Sequence, residues 1–230
     1  MSRPLTGEPP ALWDLVVRSS HWIIAVVVIG NAVFTGGGST VHVWLGWIGM
    51  TALALRLLWG LVGPAEARFA AFPPRPRAAV LHLRDLARRT PGEYPSHNPA
   101  GAVMVYALWS TLAAVILAGL VMTSGATPME VARQKAAVAA GDWAALIVDS
   151  DDAADGSDAA ASGILSRETK KAVKELHEMG GNLLLLLAVL HVGGVLAESL
   201  VLKRNLVKPM LTGDTRSPGR RRTDATQRSG

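Results

Sequence analysis

Four stretches of this chain are each long and apolar enough to cross a lipid bilayer, and no other feature limits its fold so strongly. A spanning α-helix needs about 20 mostly apolar residues. The first stretch runs from about Trp13 to Thr35 around HWIIAVVVIGNAVF, and the second from His42 to Val62. The third covers Ala100 to Met122 and the fourth Leu176 to Leu202. Half of the residues are hydrophobic although 18% are charged, so the charges must be segregated from the apolar runs. The expected fold is all-α: an integral membrane four-helix bundle.

The first stretch is read as a retained span and not as a cleaved signal peptide. Its apolar run is long, acidic residues accompany the basic ones before it, and FTGGGST is a poor cleavage site. Orientation follows from Lys and Arg near the span ends. Residues 64–98 carry Arg68, Arg75, Arg77, Arg84, Arg88 and Arg89, and the C-terminal part adds Lys203, Arg204, Lys208 and Arg220 to Arg222. Both segments are expected on the cytoplasmic side, with both termini inside. Residues 1–12 form a cytoplasmic N-terminal segment, 13–210 the membrane domain and 211–230 a basic tail expected to be disordered. The loop at 124–172, with its acidic centre DSDDAADGSD, is expected outside. That run lacks the alternating ligand spacing of an EF-hand and reads as solvated charge. Residues 77–89, RAAVLHLRDLARR, combine an apolar stripe with a basic face, as either an interfacial helix or a soluble loop helix does. Asn98 and Pro99 suit the cap and first residue of the third span.

The chain contains no cysteine, which excludes disulfides, iron–sulfur clusters and covalent c-type haem attachment. The net charge of +5 sits beside apolar segments, which points to a membrane surface rather than nucleic acid.

Four of the six histidines lie on the spans: His21, His42, His177 and His191. A single histidine near a span end is commonly an interfacial residue, but ionisable groups inside the membrane lean towards function. Depth groups these four. His21 and His191 fall in the inner half of the first and fourth spans, and His42 and His177 in the outer half of the second and fourth. Reversing the orientation leaves both pairs intact. His177 and His191 are about 21 Å apart along a helix axis and within about 40° of one face. Two imidazoles from different helices at each of two depths suit the axial ligation of two b haems. Zinc wants further ligands at each level, and no convincing candidates accompany both pairs. Gly46, Gly49, Gly180, Gly181, Gly193 and Gly194 flank these histidines, either for close approach of a flat macrocycle or for ordinary helix packing.

Arg56 and Arg18 lie at the depth of the inner pair and suit haem propionates, with snorkelling to headgroups the alternative for Arg56. Glu198 is either a proton-handling group near an inner quinone site or, preferably, an ion-pair partner of Lys203 or another inner basic residue. His82 and His97 fall outside the paired depths; His97 is expected at the inner interface, in a plain interfacial role by preference, with contact to a quinone the alternative.

The motifs RSSHW at 18–22, HVWLGW at 42–47 and RLLWGLVGPAEARFAAF at 56–72 are joined by HNPAGA at 97–102, LHEMGGN at 176–182 and LHVGGVLAES at 190–199. In their order and spacing the chain resembles the bacterial four-helix dihaem cytochromes b, which include bacterial cytochrome b561 and the cytochrome b subunits of nickel–iron hydrogenases. The resemblance covers all but the outer loop and the tail. It implies two b haems held by His21, His42, His177 and His191, and electron transfer across a bacterial inner membrane. A quinone is expected at one end and a redox protein, such as a periplasmic c-type cytochrome, at the other. The nearest rival is a membrane anchor bound to a hydrogenase-like subunit. A rival of another class is a haem-free transporter or scaffold, which would be colourless and tolerate His42→Ala.

Overall fold

A computed structural model describes residues 14–90, 92, 94, 97–142, 167–203 and 205–213. Among them are seven α-helices: α1 (Leu15–Val33), α2 (Thr40–Val62), α3 (Pro76–Ala87), α4 (Pro99–Met122), α5 (Pro128–Ala140), α6 (Arg167–Val201) and α7 (Val207–Thr212). Two short 3-10 turns, Ala65–Ala67 and Phe69–Ala71, join α2 to α3. The acidic run at 149–158 and the tail from residue 214 lie outside the described residues.

Helices α1, α2, α4 and α6 are long and apolar enough to cross a membrane. Leu58, Leu61, Leu117, Leu186, Val189 and Leu200 are all exposed, so the apolar surface faces outward, as it does where lipid is the solvent. The centre is held by Leu53, Leu112 and Leu184, packed with Ile24, Val28, Leu108, Trp109, Ala113 and Ile116. Packing is most extensive between α4 and α6 and between α1 and α2. The bundle is therefore two helix pairs set side by side, with α2 against α4 and only light contact between α1 and α6.

The ends of the spans are chemically punctuated. Asp14 caps α1 by accepting from Val17 N at 2.9 Å, and its other oxygen accepts from Trp59 Nε1 at 2.9 Å, tying the start of α1 to the end of α2. Ser39 caps α2 and Asn98 caps α4, with Pro99 in the first turn of α4 as expected. We call the end that holds Asp14, Asn98 and α7 the terminal end, and the opposite one the loop end.

Three boundaries depart from the sequence reading. The fourth span begins nine residues before Leu176, at Arg167, because the polar segment ahead of it continues the helix, with Lys171–Glu175 and Lys174–Glu178 pairs on consecutive turns. Hydropathy does not register such a segment, whereas i,i+4 pairing supports it as helix. The loop at 124–172 also contains α5, opened by a reciprocal Thr127–Glu130 capping box and tethered by Lys135 to the Gly38 carbonyl. At the C-terminus α7 extends to Thr212, two residues into the expected tail. It is docked by Arg18 Nη1 to Leu211 O (3.1 Å) and Trp22 Nε1 to Met210 O (3.3 Å).

Helix α3 buries Ala79 and His82 and packs on α4, while Val80, Leu81 and Leu83 stay exposed.

Candidate functional site

Two histidine pairs cross the gap between the helix pairs. His21 on α1 faces His191 on α6 with ring centres 6.3 Å apart and planes inclined by 56°. His42 on α2 faces His177 on α6 at 5.9 Å and 66°. The first pair lies towards the terminal end and the second at the loop end. The four histidines singled out in the sequence are thus brought together two by two, in the combinations that depth favours.

The loop-end pair has its protonation pattern written into its hydrogen bonds. His177 Nδ1 lies 2.9 Å from the main-chain oxygen of Val115, which can only accept, so Nδ1 carries a hydrogen and donates it. Thr35 Oγ1 donates to Asn31 O at 3.0 Å and therefore accepts from His42 Nδ1 at 3.3 Å, which places a hydrogen on His42 Nδ1 too. Asn31 Nδ2 reaches the His42 carbonyl at 3.4 Å and closes the corner between α1 and α2. A histidine whose Nδ1–H is engaged presents Nε2 as a metal ligand.

The terminal-end pair is arranged differently. His21 Nδ1 is buried without a hydrogen-bond partner. The neighbouring Ser20 turns away, with its hydroxyl donating to Val16 O at 2.6 Å. Arg56 is buried beside this level: its guanidinium lies 4.8 Å from the Trp109 ring centre, Nη2 donates to Ala67 O at 3.4 Å, and Nη1 has no partner. The inward turn of Arg56 replaces the snorkelling alternative. Arg18, the weaker of the two arginine candidates, sends Nη1 to the carbonyl of Leu211.

The glycines divide into two groups. A Cβ on Gly180 would meet Val115 Cγ2 at 2.7 Å, and one on Gly49 would meet Val27 Cγ1 at 3.0 Å, so these two serve helix packing. Around Gly46, Gly181, Gly193 and Gly194 a Cβ would meet nothing within 4 Å. Gly46, Gly181 and Gly194 lie three or four residues after a paired histidine and on the same side of the helix, whereas Gly193, two residues after His191, lies on the opposite side. Gly119, whose Cβ would stand 3.3 Å from His177 Cε1, lets α4 approach that ring.

The remaining candidates meet partners that the sequence did not foresee. Glu198 pairs with Asn98 Nδ2 and lies 3.8 Å from His82 Nε2, so the basic residue beside it is His82 and not Lys203. Docking of α3 onto α4 causes this, and it buries His82 to 2% exposure. His97 packs on Phe72 with ring centres 4.6 Å apart. Burial first, then the charges of Arg56 and His191, hold its pKa down to about 4. Thr35, the Val115 carbonyl and Trp109 are site neighbours that sequence reasoning missed.

Two half-buried imidazole pairs, an orphaned Arg56 donor, an orphaned His21 nitrogen and nearby glycines are donors and space suited to haem b. Among the described residues no cluster of three or more His, Asp or Glu offers a rival metal site. No curated protein and no solved structure matches the chain. A family model for prokaryotic cytochrome b561 matches residues 12–213, which takes in all four spans and both histidine pairs. The chain accordingly belongs to the prokaryotic cytochrome b561 family, whose members are multi-pass membrane proteins that transfer electrons through haem b.

Proposed function

We propose that this protein carries two b haems, one between His21 and His191 and one between His42 and His177, and passes electrons between them across a bacterial inner membrane. The observation that supports this most is the presence of two facing imidazole pairs on three different helices, at 6.3 and 5.9 Å. Two imidazoles on opposite sides of one iron need ring centres about 6 to 6.5 Å apart, from metal–nitrogen bonds of about 2 Å plus the ring radii.

Bound haem supplies reversible one-electron chemistry at its iron. The chain's own residues do the rest. Val115 and Thr35 fix the His177 and His42 tautomers so that Nε2 faces the site. Arg56 holds a buried positive charge with its Nη1 amino group unpartnered, suited to a propionate. Leu53, Leu112 and Leu184 form a dry partition between the two levels. Helix rise sets the two sites about 20 Å apart along α6.

The arginines of residues 64–90 favour a cytoplasmic position for the terminal end in this reading. A quinone arriving laterally from the bilayer is the natural partner at one end, and a soluble redox protein at the other. The deciding experiment is a reduced-minus-oxidised absorption spectrum of purified protein, with haem counted as pyridine haemochrome per chain. Two b haems per chain support the proposal; one or none overturns it.

A further inference from the structure

At the terminal end, beyond the His21–His191 pair, a second polar cluster is buried where three elements meet. His82 of α3 has both ring nitrogens buried without a hydrogen bond, and its Nε2 stands 3.8 Å from Glu198 Oε1 of α6. The other Glu198 oxygen accepts from Asn98 Nδ2, whose own side-chain oxygen caps α4 through Gly101 N. The ring of Tyr94, from the segment joining α3 to α4, lies edge-on to His82 with centres 5.4 Å apart. The His82 and Glu198 side chains are 1% and 13% exposed.

A histidine fully withdrawn from solvent with neither nitrogen bonded is costly and asks for a reason. Holding α3 in place does not require an imidazole, since the neighbouring buried contact, Ala79, is apolar. An acid and a base held just beyond hydrogen-bond distance have one particular use: a proton entering either draws them together. Glu198 follows His191 by seven residues on one continuous helix. That is about 10 Å along the axis and within about 20° of the same face, so a charge at one is felt at the other.

We propose that His82 and Glu198 form a proton-exchange site that takes up a proton from the adjoining water when the His21–His191 site gains an electron. The electron comes from a quinol or a redox protein, and reduction adds one negative charge at that site. The proton leaves water and forms an O–H bond on Glu198 or the second N–H bond on His82, restoring local neutrality. Other titratable and charged groups at this end include Asp14, Arg18 and His21 of α1, Arg56 of α2, Arg84 and Asp85 on α3 itself, Tyr94, His97, His191 on α6, Lys203 and Lys208. His97, held down to about 4 by burial and by the charges of Arg56 and His191, stays neutral near pH 7 and does not compete for the proton. Only the coupling to reduction rests on the dihaem reading; the exchange site stands on its own.

Two measurements on the full chain in lipid nanodiscs test this. The first is an infrared pH titration, with the Glu198 carboxyl band assigned by its loss in Glu198→Gln. That band is expected to respond to bulk pH. In His82→Gln the pH response of that band is expected to change, because the imidazole that shares the proton is gone. A band that ignores pH, or that titrates identically in His82→Gln, overturns the proposal. The second uses the unmodified chain and Glu198→Gln, so it does not depend on His82→Gln folding. Reduction in weakly buffered medium is expected to draw protons from solution in the wild type and fewer in Glu198→Gln. Equal uptake by both overturns the coupling. Absence of a haem spectrum would defeat the dihaem reading and leave the infrared titration to decide the exchange site.

Discussion

His177 Nδ1 lies 2.9 Å from the main-chain oxygen of Val115, sixty-two residues away on the neighbouring helix. A backbone carbonyl cannot be removed by side-chain substitution, so this ring is oriented by the packing of α4 on α6. His42, its counterpart across the gap, depends instead on the hydroxyl of Thr35. The two rings of one site are therefore held by different means, one mutable and one not.

Replacing Thr35 by Val keeps the shape and removes the acceptor for His42 Nδ1–H. Loss of such an outer partner typically weakens metal-site affinity about 10- to 100-fold. Thr35→Val is expected to lower haem retention and alter the electron paramagnetic resonance signal at the loop-end site alone, with Thr35→Ser recovering both. An unchanged signal in Thr35→Val would mean that the hydroxyl does not orient the ring.

Single replacement of the paired histidines tests the pairing itself. His191→Ala and His21→Ala are expected to lose the same haem, and His42→Ala and His177→Ala the other, each leaving one haem per chain by pyridine haemochrome. Loss of the same haem in His191→Ala and His42→Ala would refute the assignment.

Gly180 and Gly181 are adjacent in sequence and opposite in consequence. A methyl group on Gly180 would press into Val115, whose branched side chain has little freedom to yield. Overpacking of this kind costs about 1–3 kcal/mol. Gly180→Ala is expected to lower the thermal midpoint and disturb His177 through the same carbonyl. Gly181→Ala, which meets nothing within 4 Å, is expected to leave the melting of haem-free protein unchanged. Equal melting of the two variants would count against the α4–α6 contact.

His97 gives stability a pH dependence of defined sign. Its pKa is lowered from 6.5 to about 4 in the folded chain, so between those values the unfolded chain binds a proton that the folded one refuses. The folded state is favoured above pH 6.5 and loses up to about 3 kcal/mol as pH falls through this window. Thermal melts between pH 4 and pH 7 are expected to show a steeper decline in wild type than in His97→Gln. Parallel declines would assign the effect to other groups.

At the surface of the loop end, the Thr127 main-chain N–H and then its hydroxyl hold the Glu130 carboxyl below the usual carboxylate range. The capping box therefore persists above that range and is lost as pH falls through the lowered value. Thr127→Ala is expected to cost α5 about 1 kcal/mol, read as faster amide exchange in its first turn. Exchange at the wild-type rate would show that the cap contributes little.

The spans were legible because hydropathy over about 20 residues is a strong and local signal. The histidine pairs were legible because depth along a span can be counted. Local readings failed where contacts depend on docking. Glu198 and Lys203 are near neighbours in sequence, yet Glu198 meets His82, more than a hundred residues earlier, because α3 folds back onto α4. Thr35 looks like the polar end of a span until the turn at 34–39 brings it to His42. The early start of α6 is invisible to hydropathy because Glu168 to Glu175 are mostly polar.

Both sites draw one histidine from α6, a single unbroken helix of 35 residues and about 52 Å. Their separation is thus graduated on one ruler of backbone hydrogen bonds and owes nothing to the thickness of the surrounding lipid. A thinner or thicker bilayer can tilt the bundle, at a modest cost in mismatch, without stretching the interval between His177 and His191. Inserting one residue between them would lengthen that interval by only about 1.5 Å but rotate one ring by about 100° relative to the other. The spacing is insulated from the membrane and sensitive to the gene.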